Sequence, residues 1–555
     1  MELRLLSVVV PPQTKEMDKL KTKRRMAHSM ASGPAGQVSD LESESKLSST
    51  EELIRELINT GQKIFSFDMS FIIKSEPTKE GLRLLDVYSR DILSKFRTLN
   101  GAEGLLESIA SWKIFKNNLP GAPRDQIRPK RVKTNNLADF LPLYGPRTGD
   151  TIPAVILKNR LGGLISYNPF DPGLPNYNCL VTGSSGAGKS FLNNFILLQE
   201  ISRGTRAFII DIGGSYKKLT EALDGQYVEI NLNDDTSLNP FFINDPKVKP
   251  SDQKIKSLLA IIETMVSEED NTRLLKLDRV LLEKAILATY DAKKEKGEVP
   301  KLSDLVKICS ESDEPSLKNF SKMLFSWTGD RPYGKLLDKE GSLKSNSLIT
   351  TFDLKGLSSY PDLQAVIILI LTDFILTQVE KDKSQTKRLI LDEAWEFLKS
   401  DASANFMEYC ARTLRKTGSG ITFITQGVEE IVASSIGSAI LNNTATKFVM
   451  LQRGDSNVLK EVLKLNPQEM SLVESLGQKK GYFSEGFMIE GDHRQVIRVH
   501  PQPLEYWLST SDARDNEFLR TLMETKGLRL ANALKVAAKE YPFGVASGKI
   551  KEVAS

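Results

Sequence analysis

The stretch VTGSSGAGKS, residues 181–190, contains residue types whose spacing suits phosphate binding. It fits the pattern G-x-x-x-x-G-K-S through Gly183, Gly188, Lys189 and Ser190. Small residues let the backbone wrap closely around a phosphate, so that its N–H groups form an anion nest. We predict that the lysine contacts the β- and γ-phosphates of a nucleotide and that the serine hydroxyl binds Mg²⁺. The candidate nucleotide-binding residues are Gly183, Ser184, Ser185, Gly186, Ala187, Gly188, Lys189, Ser190 and Phe191.

The residues on either side of this loop favour a real site over a chance run of small residues. YNCLVTG before it is a short apolar run typical of a buried parallel strand, and SFLNNFILLQEIS after it has apolar residues at helical spacing. The N-terminus of that helix would add the positive end of its dipole at the phosphate.

A second stretch, RLILDEAWEFL, ends an apolar run with the adjacent carboxylates Asp392 and Glu393. In open parallel sheets, ligands bind at the carboxyl ends of the strands. We predict that Asp392 holds the Mg²⁺ shell through water, and that Glu393 orients and deprotonates the water that attacks the γ-phosphate. The alternative is a helix start in which both acids only interact with the helix dipole.

Three further polar residues are candidates for the same chemistry. Gln426 ends the strand-like run GITFITQG and could hydrogen-bond the γ-phosphate or the attacking water; otherwise it is an ordinary strand-end residue. Arg412 and Arg415, in ARTLRKTGSG, are three residues apart and would share a helix face. They could neutralise the transition state across a subunit boundary, or form a solvated basic face. Asp211 also ends a strand-like run, RAFIID, and its role is left open.

Composition sets limits on the class of protein. A chain of 555 residues with 40% hydrophobic and 26% charged residues is typical of a globular protein of about two or three domains. A formal net charge of +4 does not indicate a nucleic-acid partner, and three cysteines indicate no disulfide framework. The most apolar stretch, LQAVIILILTDFIL, has fourteen residues and contains Asp373, so we predict a buried helix and no membrane span.

The order of patterns predicts an α/β fold with a mainly parallel sheet, preceded by a smaller domain. Six strand-like runs alternate with helical ones from about residue 150, and GYFSEGFMIEGDHRQVIRVH predicts a hairpin. We expect a small α+β N-terminal domain over 1–120, with 13–50 flexible or partly helical, and a linker over 121–150. The sheet domain would span 151–515 with an all-α insertion at 245–343, followed by a helical tail over 516–555.

Seven motifs in this order resemble the TraC-type ATPases of conjugative type IV secretion systems, in the HerA/FtsK-like group of hexameric P-loop motors. They are GSSGAGKS, IIDIGGSY, NDDTSLNPF, FSWTGDRPYGKLLD, LILDEAW, ARTLRKTGSG and FITQG, and the resemblance covers about residues 140 to 515. It implies a RecA-like P-loop ATPase core that uses ATP and Mg²⁺. It also implies that Lys189 and Ser190 bind nucleotide, that Asp392 and Glu393 are the hydrolytic pair, and that Gln426 is the sensor.

The same resemblance implies a homo-hexamer in the bacterial cytoplasm, peripheral at the inner membrane and docked on channel components. Such proteins energise pilus assembly and the transfer of substrates, with DNA as a candidate partner. Members of the family usually carry a longer N-terminal region than the roughly 140 residues that precede the motor here, so we expect a shortened or partial protein.

Two other functions compete with this hypothesis. A DNA-translocating motor of the same superfamily, such as a coupling protein, would show DNA-stimulated hydrolysis with steep salt dependence. Those proteins usually bring N-terminal membrane helices, which this sequence does not show. A nucleotide-gated scaffold would bind ATP and barely hydrolyse it, and it would have no need of a catalytic base such as Glu393.

Overall fold

In the computed structural model the chain forms two compact units, Met1–Gly145 and Pro146–Ser555. The residues that the structure describes are 3–31, 41–97, 103–117, 119, 125–140, 148–232, 236–243, 245–266, 274–341, 343, 347–398, 401–453 and 456–547.

The described part of the first unit combines a small antiparallel sheet with helices. The sheet has three strands in the order β1-β2-β3. In chain order the elements are β1 (Leu3–Val9), α1 (Gln13–Ala31), α2 (Leu41–Thr60), β2 (Ile64–Ile72), α3 (Lys79–Arg97), α4 (Ser111–Asn117), β3 (Lys130–Lys133) and α5 (Thr134–Phe140). This arrangement confirms a small α+β region before the main sheet.

Two ranges of the expected domain organisation contain regular secondary structure. The range 13–50, expected to be flexible or partly helical, is helical in α1 and the start of α2, while 32–40 lies outside the described residues. The range 121–150, expected to be a linker, contains β3 and α5. Long-range contacts join these elements: β3 pairs with β2, and Arg131 of β3 donates to the buried carboxylate of Glu16 on α1 at 3.0 Å.

The second unit is organised around a twelve-stranded sheet in its described residues, ordered β5-β4-β15-β14-β12-β6-β11-β10-β7-β9-β8, with β13 paired to β14. The strands are β4 (Val155–Asn159), β5 (Leu164–Tyr167), β6 (Cys179–Thr182), β7 (Arg206–Asp211), β8 (Gln226–Glu229), β9 (Ile349–Asp353), β10 (Lys387–Leu391), β11 (Ser419–Thr425), β12 (Thr446–Met450), β13 (Gln478–Lys479), β14 (Phe483–Glu490) and β15 (His493–Val499).

The run of strands from β12 to β8 is parallel throughout, and the strands from β14 to β5 extend it in antiparallel pairs. The structure confirms the mainly parallel sheet, the six predicted strands and the hairpin, which is β14–β15. It adds β4, β5, β8 and β13, which were not predicted from the sequence patterns. β13 has two residues, too few for a periodic signal, and β8 is half-buried or exposed rather than a continuous buried apolar run such as β6.

Helices cover both faces of this sheet. They are α6 (Lys189–Ser202), α7 (Lys217–Ala222), α8 (Asp252–Val266), α9 (Lys276–Lys294), α10 (Leu302–Glu311), α11 (Pro315–Met323), α12 (Gly334–Leu337), α13 (Pro361–Lys381), α14 (Asp401–Thr413), α15 (Val428–Val432), α16 (Gly437–Asn442), α17 (Ser456–Leu463), α18 (Pro467–Glu474), α19 (Pro503–Ser509), α20 (Ala513–Lys526) and α21 (Leu530–Glu540). Successive strand residues face opposite layers, so Leu389 and Leu391 join the core with α8 and α13, whereas Ile390 joins the core with α6.

The insertion and the apolar helix belong to one core. The described residues between 245 and 343 form helices α8–α12 and contain no strand, as predicted. Among the described helices, α13 is long and apolar enough to cross a membrane, but 67% of its most apolar window is buried inside the protein. Its Asp373 pairs with Lys254 of α8 at 2.6 Å, both side chains being nearly buried. The prediction of a buried helix is therefore confirmed.

The C-terminal helices pack on the sheet domain. Trp507 of α19 lies with Leu519, Leu522 and Leu534 in a cluster, and Phe191 of α6 packs against it. The range 516–547, expected to be a helical tail, is helical and joins the second unit through this cluster.

Candidate nucleotide-binding site

The loop between β6 and α6 has the backbone that a phosphate cradle needs. Gly186 and Gly188 have φ angles of 76° and 92°, which side chains other than glycine rarely tolerate. A Cβ at Gly183 would stand 2.7 Å from the Cβ of Met450, so packing against β12 also requires glycine there. These glycines hold the loop closed over the N-terminus of α6, where unpaired N–H groups and the helix dipole favour an anion.

Neighbouring strands hold this loop in place. The backbone N–H of Gly183 donates to Thr425 O at the end of β11 at 3.3 Å, and that of Ser184 donates to Leu451 O after β12 at 3.0 Å. The hydroxyl of Ser184 accepts a bond from the backbone N–H of Arg453 at 2.7 Å. The loop is thus attached to both strands that flank β6.

Lys189 begins α6 and is nearly buried, with 8% of its surface exposed. Its ammonium donates to Gly183 O at 2.7 Å, which folds the side chain back over the loop. Burial lowers the pKa of Lys189, and the carboxylates of Glu393 and Asp392 oppose that shift. These two carboxylates are therefore close enough to Lys189 to act on its charge.

Asp392 follows β10 at the same edge of the sheet. Its backbone N–H donates to Ile210 O at 3.0 Å, and its carboxylate lies 3.5 Å from the Ser190 hydroxyl. Burial raises the pKa of Asp392 to about 7, and the negative charges of Asp211 and Glu393 add to the shift. The site therefore concentrates negative charge next to the phosphate loop, where a cation would be favoured.

Glu393 lies at the meeting point of two strand ends. Its backbone N–H donates to the Asp392 carboxylate at 3.0 Å, and its own carboxylate receives two side-chain contacts. The indole N–H of Trp395 donates to Oε2 at 2.8 Å, and the Gln426 amide lies 3.3 and 3.4 Å from the two oxygens. The structure thus brings the predicted base and the predicted sensor into contact.

A second carboxylate orders the turn that carries Gln426. Glu430 of α15 accepts from the Gln426 backbone N–H at 3.3 Å and also bonds the hydroxyl of Thr425. Because both donors sit at the end of β11, Glu430 fixes where the Gln426 side chain begins.

Asp211, at the end of β7, is fully buried. Its carboxylate accepts from the backbone N–H groups of Gly213 and Tyr216 at 2.8 and 3.3 Å, so it shapes the following turn. Burial raises its pKa despite these bonds. The structure thus gives Asp211 a turn-forming role beside Asp392.

Phe191, predicted as a nucleotide-binding residue, packs its ring against α19. The ring centroid is 6.0 Å from that of Tyr506 of α19, in the packing between these two helices.

The two arginines lie away from the phosphate loop within one chain. Arg412 ends α14 and pairs with Glu408 of the same helix at 2.6 Å. Arg415 sits in the 3₁₀ turn before β11, donates to Pro172 O at 3.1 Å and lies 5.9 Å from the Tyr177 ring. This turn precedes β11, whereas Gln426 follows it, so the arginines occupy the opposite edge of the sheet. Arg412 and Arg415 therefore have different partners, one within α14 and one in the chain before β6.

Three contacts of the site were missed from sequence. Trp395 donates to the predicted base Glu393, and Glu430 accepts from the backbone N–H of the predicted sensor Gln426. The Ser484 hydroxyl of β14 donates to Ala187 O in the phosphate loop at 3.2 Å. Trp395 stands two residues after Glu393, a proximity that could have flagged it. Ser484 is nearly three hundred residues from the loop in the chain, and no local signal connects them.

A parallel sheet with a phosphate loop after one strand and an acid pair after a nearby strand defines the class of P-loop nucleoside triphosphatases. A family model described as the TraG P-loop domain matches residues 164–541. The chain therefore belongs to the TraG P-loop domain family, and the resemblance inferred from its motifs is confirmed.

Named relatives agree with this assignment. Protein TraC of Escherichia coli (strain K12) is 26% identical over 471 residues, which covers 78% of this chain and 51% of that protein. The conjugal transfer protein TrbE of Rhizobium radiobacter is 22% identical, and the alignment covers 78% of this chain and 53% of TrbE. The type IV secretion system protein VirB4 of Brucella abortus (strain 2308) is 24% identical, with coverages of 67% and 45%.

A solved structure shares the fold. The structure of VirB4 of Thermoanaerobacter pseudethanolicus matches with a TM-score of 0.56 and 22% identity, over 65% of this chain and 100% of that one. The chain spans about half the length of the curated relatives it matches.

Proposed function

We propose that this chain is the ATP-hydrolysing motor of a conjugative type IV secretion system, which energises pilus assembly and the transfer of substrates or DNA. It would work as a homo-hexamer in the bacterial cytoplasm, docked on channel components at the inner membrane. One observation carries the proposal: the Glu393 carboxylate meets the Gln426 amide at the edge where Asp392 meets Ser190 of the phosphate loop. The names of the conjugation and secretion relatives support the setting.

The arrangement suits attack of water on the γ-phosphate of ATP. Glu393 would hold a water molecule and accept its proton as the water oxygen bonds to the γ-phosphorus. The bond from that phosphorus to the β–γ bridging oxygen breaks, which releases ADP and phosphate. Lys189 would leave Gly183 O and place its charge on the β- and γ-phosphates, and the Gln426 amide would contact the γ-phosphate or the water.

The residues present fit Mg²⁺ as a cofactor. Among the described residues no group of three or more His, Cys, Asp or Glu side chains forms a metal site. Mg²⁺ commonly takes one or two protein ligands and completes its shell with waters and substrate phosphates. The Ser190 hydroxyl and, through water, the buried Asp392 would be those ligands. When bound, the ion would neutralise charge on the phosphates.

The test is steady-state ATP hydrolysis by the purified chain, with and without Mg²⁺. We expect Mg²⁺-dependent turnover, and we expect Lys189→Ala to reduce it to background because the charge on the phosphates is lost. A wild-type chain that binds ATP without turnover would instead favour the nucleotide-gated scaffold. Turnover by purified Lys189→Ala would overturn the site assignment.

A second assay, with DNA added, distinguishes the secretion motor from a DNA-translocating motor. Hydrolysis should be measured with single- and double-stranded DNA over a range of salt concentrations. We expect little stimulation. Strong stimulation that falls steeply with salt would favour the DNA-translocating alternative.

A further inference from the structure

Glu393 has an unusual backbone. Its φ of 53° lies in the left-handed region, which residues with a Cβ seldom adopt because the conformation is strained. Such strain remains only where surrounding contacts fix it. The turn continues into a 3₁₀ segment, Ala394–Leu398, in which the backbone N–H of Glu396 donates to Glu393 O at 3.0 Å.

In this segment, residues before and after Trp395 in the chain are buried in the core. Ala394 and Phe397 are 1% and 0% exposed and belong to the cluster that contains α13 and α14. Trp395 lies between them and is half-buried, so its position relative to the Glu393 backbone is set by core packing.

The two side chains that contact the Glu393 carboxylate do so differently. The Trp395 indole N–H donates to one oxygen at 2.8 Å, which is the length of a normal hydrogen bond. A tryptophan side chain has no polar group besides this N–H. The exposed Gln426 amide reaches both oxygens at 3.3 and 3.4 Å, near the limit of hydrogen bonding. The first contact is short and comes from a half-buried ring whose neighbours Ala394 and Phe397 lie in the core; the second is long and comes from an exposed side chain.

We propose that Trp395 is the positioning residue of the ATPase reaction, and that its indole N–H fixes the Glu393 carboxylate for proton abstraction. One oxygen is held by Trp395, which leaves the other oriented toward the water. Gln426 is then free to move to the γ-phosphate without releasing the base. This inference rests on the proposed ATPase function.

The experiment replaces only the donor. Benzothienylalanine at position 395 substitutes sulfur for the indole N–H in a ring of nearly the same shape, and Trp395→Phe provides a genetically encoded second variant. We expect kcat to fall about 10²-fold with KM for ATP unchanged, since a misplaced catalytic group costs on the order of that factor. Filter binding of labelled ATP should match wild type.

A double-variant cycle tests whether Trp395 acts through Glu393. In the Glu393→Gln background, measured under single-turnover conditions, the same replacement at 395 should cause no further loss. A loss of equal factor in both backgrounds would show that Trp395 acts independently and would overturn the proposal. So would unchanged kcat in the benzothienylalanine variant of an active chain.

Trp507 supplies a matched control. Its indole N–H donates to Tyr541 O at 2.7 Å in the C-terminal cluster, outside the site. Benzothienylalanine at 507 should lower thermal stability and leave kcat per folded molecule unchanged. An inactive wild type would refute the proposed function, whereas an active wild type with an equally active variant at 395 would refute only this inference.

Discussion

The two edges of the parallel sheet carry different kinds of candidate catalytic residue. At the carboxyl edge, Lys189 and Asp392 are 8% and 5% exposed; Lys189 donates to Gly183 O of its own loop, and the backbone N–H of Asp392 donates to Ile210 O of β7. At the amino edge, the Arg412 side chain is 59% exposed and pairs with its own helix, and Arg415 is exposed.

The distance between these edges decides which residues of one chain can reach a bound phosphate. β11 has seven residues, so at roughly 3.3 Å per residue its ends lie about 20 Å apart. An arginine at the start of β11 cannot reach a phosphate bound near its end. One chain therefore supplies the loop, the acid pair and the sensor, and either arginine could contribute only to the site of another copy.

The largest expected effect tests this division between chains. Arg415→Ala should reduce turnover by about 10³–10⁵-fold if Arg415 acts in trans, the range found for arginine fingers. A chain with Lys189→Ala should also be inactive. When the two variants are mixed, some interfaces would pair an intact phosphate loop with an intact arginine. ATPase assays of the mixture should then show partial recovery of turnover.

The same mixing with Arg412→Ala decides which arginine crosses the boundary. Turnover per subunit should also rise with protein concentration until oligomers form, which light scattering can follow. If mixed oligomers form and neither pair recovers activity, the arginines form a solvated face, and the contrast between the edges has no catalytic meaning.

The next effect lies at the carboxyl edge. Glu393→Gln keeps the shape of the side chain but cannot accept a proton, so we expect turnover to fall about 10²–10⁴-fold. ATP binding should persist because Lys189 and the loop are untouched. Retained wild-type turnover in a hydrolysis assay, or loss of ATP in a filter-binding assay, would contradict the role of base.

The smallest effect concerns a buried carboxylate of β14 that has no assigned chemistry. Glu485 of β14 is 4% exposed and accepts from Arg160 and Arg498 at 2.9 and 2.8 Å. Burial alone would raise its pKa, but these bonds outweigh burial and hold the pKa below its usual range. We expect Glu485→Gln to destabilise the fold by about 2 kcal/mol at neutral pH, with turnover per folded molecule retained.

The pH dependence of that loss follows from the sign of the shift. A lowered pKa in the folded state stabilises the protein above the unfolded-state pKa, and this contribution is lost as the pH falls through the folded-state value. The difference in unfolding free energy between wild type and Glu485→Gln should therefore shrink in denaturant titrations below about pH 4. A constant difference would show that packing, rather than charge, is responsible.

Local patterns predicted much of the sheet and its loops. The strands β6, β7, β9, β10, β11 and β12 were predicted because each is an apolar run bounded by turn residues. The pairing of β3 with β2 and the contact of Ser484 with the phosphate loop were not, because each joins residues far apart in the chain.

The sequence by itself determined the chemistry of the loop: glycines where φ must be positive, then a lysine and a serine at a helix start, all within ten residues. Tertiary structure decided which strand ends meet. β11 lies between β6 and β10, which brings Gln426 to Glu393 and places Arg415 at the far edge. Strand order depends on hydrogen bonding and packing between distant segments, so no local pattern encodes it.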